Sequence, residues 1–329
     1  MADINTVLDV GVVGAGAIAH NIHLPVLANI PGARIAWVAD RDTARASKLA
    51  KANGVQARAI DGPLVADAVV LAIPLVGRDA WLRRFSAENI AVLVEKPFAS
   101  TAEDHRVWQA MFPVHQIGVG YQRRFHSTSR FLKQALRDGW FGRLRHIVHR
   151  EGARTTRAGG HGYFDLPASE GGGITKNLAC HGIDLLFHLT DAQAFRILGS
   201  HVESDAGSDR RLAAEIALTT PSGEVTIDMI VSELDRQPSG VRFEFERATL
   251  SISTAPSSII DLGSADSTEV TKVDASANGG AATSNQAFYL EWQDFLQGVR
   301  SGIPGLTSAA SALLTAEAMD ALLAEGGAA

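Results

Sequence analysis

The chain has 329 residues, 46% hydrophobic and 20% charged, with 31 glycines, one cysteine and a net charge of −6. That length accommodates two domains, each able to bury a core without staples, and the single thiol, Cys180, excludes an internal disulfide or a paired-cysteine metal or redox site, so a cytoplasmic location is expected. No apolar run approaches the roughly 18–20 residues of a membrane helix, the first stretch lacks the basic region of a secretory leader, and basic residues scattered in ones and twos argue against nucleic acid; small molecules are the expected partners.

Short apolar runs at Val7–Val13, Arg34–Ala39, Asp67–Ile73, Ala91–Glu95 and Gln116–Gly120 alternate with helical patterns at Ala17–Asn29, Asp42–Asn53, Arg78–Phe85 and Thr101–Met111. This is the signature of a parallel sheet covered on both faces. Ser100, with Glu103 three residues on, predicts a capping box for the last helix. Four crossovers in sequence predict a doubly wound α/β domain.

After Tyr121 the rhythm changes. A helix is predicted over Ser127–Asp138, ending at Gly139, and Arg154–Gly173 reads as a long glycine-rich loop of the kind that is usually functional. A helix follows at His181–Leu189, then strands at Phe195–Val202, Leu212–Thr220, Val225–Val231, Val241–Phe245 and Thr249–Ile252, with Pro221-Ser222-Gly223 as a hairpin turn. Strands joined by tight turns pair antiparallel, so this region reads as an α+β domain on a mainly antiparallel sheet. Ala275–Ser284 reads as a linker or exposed loop, and helices are predicted at Asn285–Arg300 and Ala309–Leu323, the second opened by Thr307 or Ser308. The expected division is residues 1–122 and 123–329, with the terminal helices, from about 285 on, packing back toward the first domain.

Gly14-Ala-Gly16-Ala-Ile-Ala19 has the form G-x-G-x-x-A where the first strand gives way to the first helix. Gly14 allows the tight turn, Gly16 removes a side chain where backbone approaches a pyrophosphate, and Ala19 lets helix pack on strand. The N–H groups of Ala17 and Ile18 then face the phosphates of a dinucleotide. Plain strand–helix packing is the alternative, but the second strand ends at Asp40, near the usual spacing of ~20 residues for a ribose-binding carboxylate. Asp40 favours NAD. Arg41 would pair with a 2′-phosphate if Asp40 swung aside, or is a solvated side chain at a strand end, so NADP stays open.

Val94-Glu95-Lys96-Pro97 places a lysine at the carboxyl end of a buried strand, the side on which such sheets bind ligands. Partly desolvated beside a nicotinamide, Lys96 would trade a proton at a carbinol or carbonyl; a lysine pointing into water is the plain alternative. In Gly171-Gly-Gly173-Ile-Thr-Lys176-Asn177-Leu-Ala-Cys-His181-Gly-Ile-Asp184-Leu-Leu-Phe-His188, the residues His181, Asp184 and His188 share one helical stripe. That stripe fits a metal site, one catalytic histidine oriented by a carboxylate, or three satisfied side chains. With no further cysteine and no second acidic cluster nearby, no metal is expected.

These motifs, in this order and at these separations, resemble the Gfo/Idh/MocA oxidoreductases, the relatives of glucose–fructose oxidoreductase and inositol dehydrogenase. So do Val119-Gly-Tyr-Gln-Arg-Arg-Phe125 and the pattern Trp292–Phe295, Gly302, Pro304. The resemblance implies an N-terminal Rossmann domain, a C-terminal α+β domain with an open-faced sheet that makes homodimers or homotetramers, and a nicotinamide at the seam. It implies that Gly14, Gly16, Ala17, Ile18, Asp40, Arg41, Ile73, Pro74, Glu95, Lys96 and Gln122 line the cofactor. It further implies that Lys96 hydrogen-bonds the reacting oxygen and that His181 is the general acid/base. Arg123, Tyr163, Lys176, Asn177 and Asp184 would bind substrate, joined by Arg124, Arg154 and His161.

Three departures stand out. Asn177 occupies a place where many members have Asp, and a neutral amide cannot stabilise an imidazolium as a carboxylate does. Members often read Thr-Pro and then a His a few residues on, where this chain has Ile73-Pro74-Leu-Val-Gly-Arg. The stretch from Asn53 to Asp67 is short, so one crossover is expected to be trimmed. The resulting expectation is an NAD(P)-dependent dehydrogenase or ketoreductase acting on a sugar, sugar derivative or cyclic polyol. The rival readings are a non-catalytic NAD(P)-sensing regulator of the same fold and a reductase of imine, enone or dihydrodiol substrates.

Overall fold

The computed structural model describes residues 6–155, 172–205, 207–264 and 269–327. They form two compact units, the first reaching to Gln122 and including Phe288–Leu313, the second holding the described residues of Arg123–Ala287 and those from Leu314 on.

The first unit carries strands β1 (Leu8–Val13), β2 (Ala33–Ala39), β3 (Gln56–Arg58), β4 (Ala68–Leu71), β5 (Ala91–Val94) and β6 (Ile117–Val119). They form one parallel sheet in the order β3-β2-β1-β4-β5-β6. Val10, Val12, Val69, Val70, Leu71, Val92 and Val94 are wholly inaccessible, as expected of strands covered on both faces. Each such side chain stabilises the fold by roughly 1.5–3 kcal/mol. The strand order reverses between β1 and β4, which opens a crevice at their carboxyl ends. Helices α1 (Leu24–Leu27), α2 (Thr43–Ala52), α3 (Arg78–Ala87) and α4 (Ala102–Gln109) fill the crossovers. From Phe288 on, helix α7 (Ser284–Ser301) adds Phe288, Trp292, Phe295 and Leu296, one helical face, to the core formed by Val10, Val12, Leu24, Leu27, Val70 and Leu93.

Two local readings are corrected. The helix expected over Ala17–Asn29 is one π-helical turn, Ala19–His23, followed by the short α1, with Pro25 in its first turn. The cap of α4 is Thr101, not Ser100: Thr101 is extended and its hydroxyl accepts from Asp104 N–H at 3.1 Å. Between Asn53 and Asp67 the chain adds a strand the sequence does not signal, β3, three exposed residues paired to Trp37–Ala39, and passes on to β4 without a helix, so the short crossover expected there is found.

The second unit holds α5 (Ser127–Arg137), β7 (Leu144–Gly152), α6 (Cys180–Thr190), β8 (Ala194–Asp205), β9 (Ser208–Thr220), β10 (Gly223–Ser232), β11 (Gly240–Phe245), β12 (Ala248–Ile252), β13 (Ile259–Ser264) and β14 (Val270–Asp274), with most of α8 (Leu313–Glu325). The sheet runs β14-β13-β12-β11-β7-β10-β9-β8, antiparallel except where β7 pairs with β10. The β9–β10 turn falls at Pro221-Ser222-Gly223, with Gly223 at φ +111°. On β10, Val225, Ile227, Met229 and Val231 are buried while Thr226, Asp228 and Ile230 between them are half-exposed. The sequence reading lacks β7, β13 and β14. In β7 the inward positions include His149 and Glu151, so apolar alternation is absent from a strand at the middle of the sheet. Among the described residues no helix is long and apolar enough to cross a membrane.

Candidate active site

Gly14, at φ +100°, closes the turn after β1, and a Cβ there would lie 2.2 Å from the carbonyl oxygen of Ala72 beyond β4. Only glycine fits that position. At Gly16 a Cβ would meet no protein atom within 4 Å. The chain itself therefore does not require that glycine, whereas a pyrophosphate approaching the backbone would. Ala17 is exposed and Ile18 half-buried beside it, while Ala19 is buried against the strands.

Asp40 is held by two backbone groups: its Oδ2 accepts from Ala15 N–H at 2.7 Å and its Oδ1 from Asp42 N–H at 2.8 Å. Arg41 beside it is exposed. A cleft of about 320 Å³ adjoins Ala15, Gly16 and Ala17, with His20, Arg45 and Lys48 on its rim.

At the carboxyl end of β5, Lys96 is half-buried and its bond to Pro97 is cis. Glu95 accepts from His23 Nε2 at 2.9 Å, and His23 Nδ1 accepts from Trp292 Nε1 at 3.1 Å. Burial alone would push the Glu95 carboxyl up, but the His23 hydrogen bond, with the charges of Lys96 and Arg78, holds it below the usual carboxylate value. Ile73 is half-buried and Pro74 exposed at the end of β4. Arg78, buried at the start of α3, donates to the carbonyls of Ile73, Glu95, Pro97 and Phe98. Gln122 is half-buried in the short turn Gln122–Phe125.

In the second unit a π-helical turn, Thr175–Ala179, leads into α6. Gly173, at φ +91°, lies under the Asp209 carboxylate, where a Cβ would come within 1.7 Å, and Asp209 accepts from Thr175 N–H at 2.7 Å. This fixes the turn that carries Lys176, which is buried, and Asn177, which is half-buried. One turn on, His181 is buried in α6 beside the buried thiol of Cys180. At Gly182 a Cβ would lie 2.6 Å from the ring of His149, so the absent side chain lets α6 rest on the imidazole of β7.

Two predicted substrate residues are engaged in ion pairs. Asp184 takes Arg124 Nε at 2.9 Å and Nη2 at 2.5 Å, both residues buried, and burial pushes its carboxyl up against the pull of Arg124. Arg123 donates to both oxygens of Glu151, at 2.9 and 2.7 Å, while His149 stands 3.4 Å from the same carboxylate. Against burial, His149 and Arg123 hold Glu151 down to about 2. His188, the third member of the α6 stripe, is pushed down to about 3 by burial and by Arg124 and Lys133. Arg154 is exposed; His161 and Tyr163 lie outside the described residues.

Each unit thus gathers its own half of the expected set. In the first unit, Gly14 to Ile18, Asp40, Ile73, Pro74, Glu95 and Lys96 lie at the carboxyl ends of β1, β2, β4 and β5. In the second, Lys176, Asn177 and His181 lie on consecutive turns. Sequence reasoning missed Arg78, His23 and Trp292. The apolar face of α7 points to Trp292, but no periodicity marks a buried arginine or a histidine in a π-helical turn.

Residues 8–122 match the model of an oxidoreductase family with an NAD-binding Rossmann fold, Gfo/Idh/MocA. This identifies residues 8–122 as an NAD-binding Rossmann domain of the Gfo/Idh/MocA oxidoreductase type. Its similarity to inositol 2-dehydrogenase 1 of Saccharopolyspora erythraea is 29% identity, over 79% of this chain and 78% of that one. The chain also shares its fold with two crystal structures. One is an oxidoreductase from Agrobacterium radiobacter in complex with NAD+, L-tartaric acid and magnesium, at a TM-score of 0.80 and 18% identity, covering 98% of this chain and 96% of that one. The other is a 3-ketoreductase from Actinomadura kijaniata in complex with NADP and TDP-benzene, at a TM-score of 0.80 and 20% identity, covering 97% of each chain.

Proposed function

We propose that this protein is an NAD(P)-dependent dehydrogenase or ketoreductase that moves a hydride between nicotinamide and the CH–OH or C=O carbon of a sugar, sugar derivative or cyclic polyol. The observation that carries the reading is Lys96 at the carboxyl end of β5, in the sheet whose crevice also holds the open face of Gly16 and the fixed carboxylate of Asp40. The inositol dehydrogenase and 3-ketoreductase similarities support the substrate class.

A bound nicotinamide supplies the site that gives or takes the hydride. Lys96 donates a hydrogen bond to the reacting oxygen, and His181 takes or returns the proton at that oxygen. Asn177 orients without the charge of a carboxylate. Lys176, Asn177 and Tyr163 meet substrate hydroxyls in this reading, while Arg123 and Asp184, engaged by Glu151 and Arg124, hold the framework beneath them. Asp40 favours NAD, because two backbone N–H bonds keep its carboxylate where it would repel a 2′-phosphate. A cytoplasmic location and assembly as a homodimer or homotetramer through the second sheet complete the proposal, the latter open to light scattering.

The deciding experiment is a fluorescence titration with NADH and NADPH, followed by a sugar and polyol panel with the preferred cofactor. NADH is expected to bind more tightly, and Asp40→Ser to narrow the gap. Failure of both cofactors to bind would sink the proposal, and binding without turnover on the whole panel would favour a cofactor-sensing regulator.

A further inference from the structure

Arg78 is 1% exposed, an expensive place for a guanidinium unless its donors are used. Nε and Nη2 donate to the Ile73 carbonyl at 3.1 and 2.8 Å; Nη1 donates to Glu95 at 2.8 Å, to Phe98 at 3.1 Å and to Pro97. Five N–H groups in one rigid plane can serve carbonyls spread over two loops, which the single ammonium of a lysine cannot.

The placement of those carbonyls is the point. β4 and β5 are adjacent parallel strands, with Leu71 beside Val94, and Arg78 ties together the loops that leave their carboxyl ends. On one side is Ile73, next to Pro74. On the other are Glu95 and Pro97, the residues flanking Lys96. With both flanking carbonyls turned to the same guanidinium, the direction in which the Lys96 side chain leaves the backbone is fixed. Phe98 is seated in turn against the rings of His105 and Trp108, at 4.4 and 6.0 Å. Where the family resemblance calls for a histidine soon after Pro74, this chain supplies an arginine that reaches all four carbonyls.

We infer that Arg78 is a positioning residue: it sets Lys96 at a fixed distance from the Ile73–Pro74 turn, so that the lysine meets the oxygen of a substrate aligned on a cofactor lying against that turn. The inference rests on the hydride-transfer function proposed above.

Two readouts test it separately. In hydrogen–deuterium exchange, Arg78→Met, which keeps apolar bulk, and Arg78→Lys, which keeps charge, are both expected to exchange roughly tenfold faster over residues 71–76 and 94–99, with β1 unchanged. In turnover, both are expected to lose about 10²-fold in kcat, the scale of a misplaced catalytic group. The double variant Arg78→Met/Lys96→Ala should then turn over no more slowly than Lys96→Ala alone, because once the lysine is absent its placement no longer matters. Guanidinium ion should restore part of the kcat of Arg78→Ala, and methylammonium should not. Unchanged exchange in both segments overturns the clamp whether or not the wild type is active. Accelerated exchange with kcat within about threefold of wild type, or a fully additive loss on Lys96→Ala, overturns the positioning role. A wild type that turns over no substrate defeats the hydride-transfer proposal and the positioning role with it, while the exchange data still decide the clamp. If Arg78→Met fails to fold, Arg78→Lys carries the same readouts.

Discussion

Trp292 Nε1 donates to His23 Nδ1 at 3.1 Å, and because an indole nitrogen can only donate, the His23 proton sits on Nε2, aimed at Glu95 2.9 Å away. A helix near the end of the chain thereby sets the tautomer of a histidine near its beginning, and with it the donor to the carboxylate preceding Lys96. Trp292→Phe keeps the packing and loses one hydrogen bond, so it is expected to cost about 1 kcal/mol. His23→Ala strands both neighbours and leaves a void, so roughly 3 kcal/mol is expected. Urea denaturation checks the order; equal losses would contradict this chain of bonds.

Gly14 and Gly16 separate folding from binding. Gly14→Ala drives a Cβ into the Ala72 carbonyl at a positive φ and is expected to lower the melting temperature sharply. At Gly16→Val the new Cβ meets no protein atom within 4 Å, so stability should hold while NADH affinity collapses. A Gly16→Val protein that binds NADH normally would show that the cofactor does not approach the turn.

Lys96→Ala is expected to cut turnover by about 10²–10⁴ and leave NADH affinity nearly intact, as for loss of a group that handles a proton. Single-turnover kinetics and a cofactor titration on the same preparation separate the two. Unchanged turnover would remove Lys96 from the chemistry.

Asp184→Asn takes the charge from the partner of a buried guanidinium. It is expected to cost roughly 3–5 kcal/mol in denaturant unfolding, as for an uncompensated buried ion. A stable variant with a raised substrate KM would instead place Asp184 in direct contact with substrate.

His105 is buried, with Nε2 donating to the Ala309 carbonyl at 2.8 Å, and desolvation pushes it down to about 4 from 6.5. Below pH 6.5 the unfolded chain takes up this proton first. Stability is therefore whole above that pH and falls as the pH drops toward 4, by roughly 3 kcal/mol for this site. His126, also pushed down to about 4, acts in the same direction in the second unit. Denaturation midpoints across this range check the slope, which His105→Gln should flatten.

Patterns that burial imposes on both faces of a strand were readable in the sequence, so β1, β2, β4, β5 and β6 are found within a residue or two of their apolar runs. The strands that escaped notice carry no such pattern: β3 and β14 are largely exposed edges, β13 buries only Ile260 and Gly263, and β7 buries a histidine and a glutamate. The proposed site residues follow the same divide. Gly14, Gly16, Asp40 and Lys96 announce themselves by spacing along the chain. Arg78 and the His23–Trp292 pair owe their places to partners far away in sequence, and nothing local marks them.

Helix α7 places Phe288, Trp292, Phe295 and Leu296 in the core of the first unit. That unit holds β1 to β6, yet its interior is incomplete until α7, more than 150 residues beyond Gln122, has been synthesised. During translation β1, β4 and β5 must therefore wait with part of their apolar surface uncovered while the second unit up to Ala287 emerges from the ribosome. The unit begun first is thus sealed only after most of the second has been made, and a fragment ending at Gln122 would present to chaperones and proteases the surface that α7 normally seals.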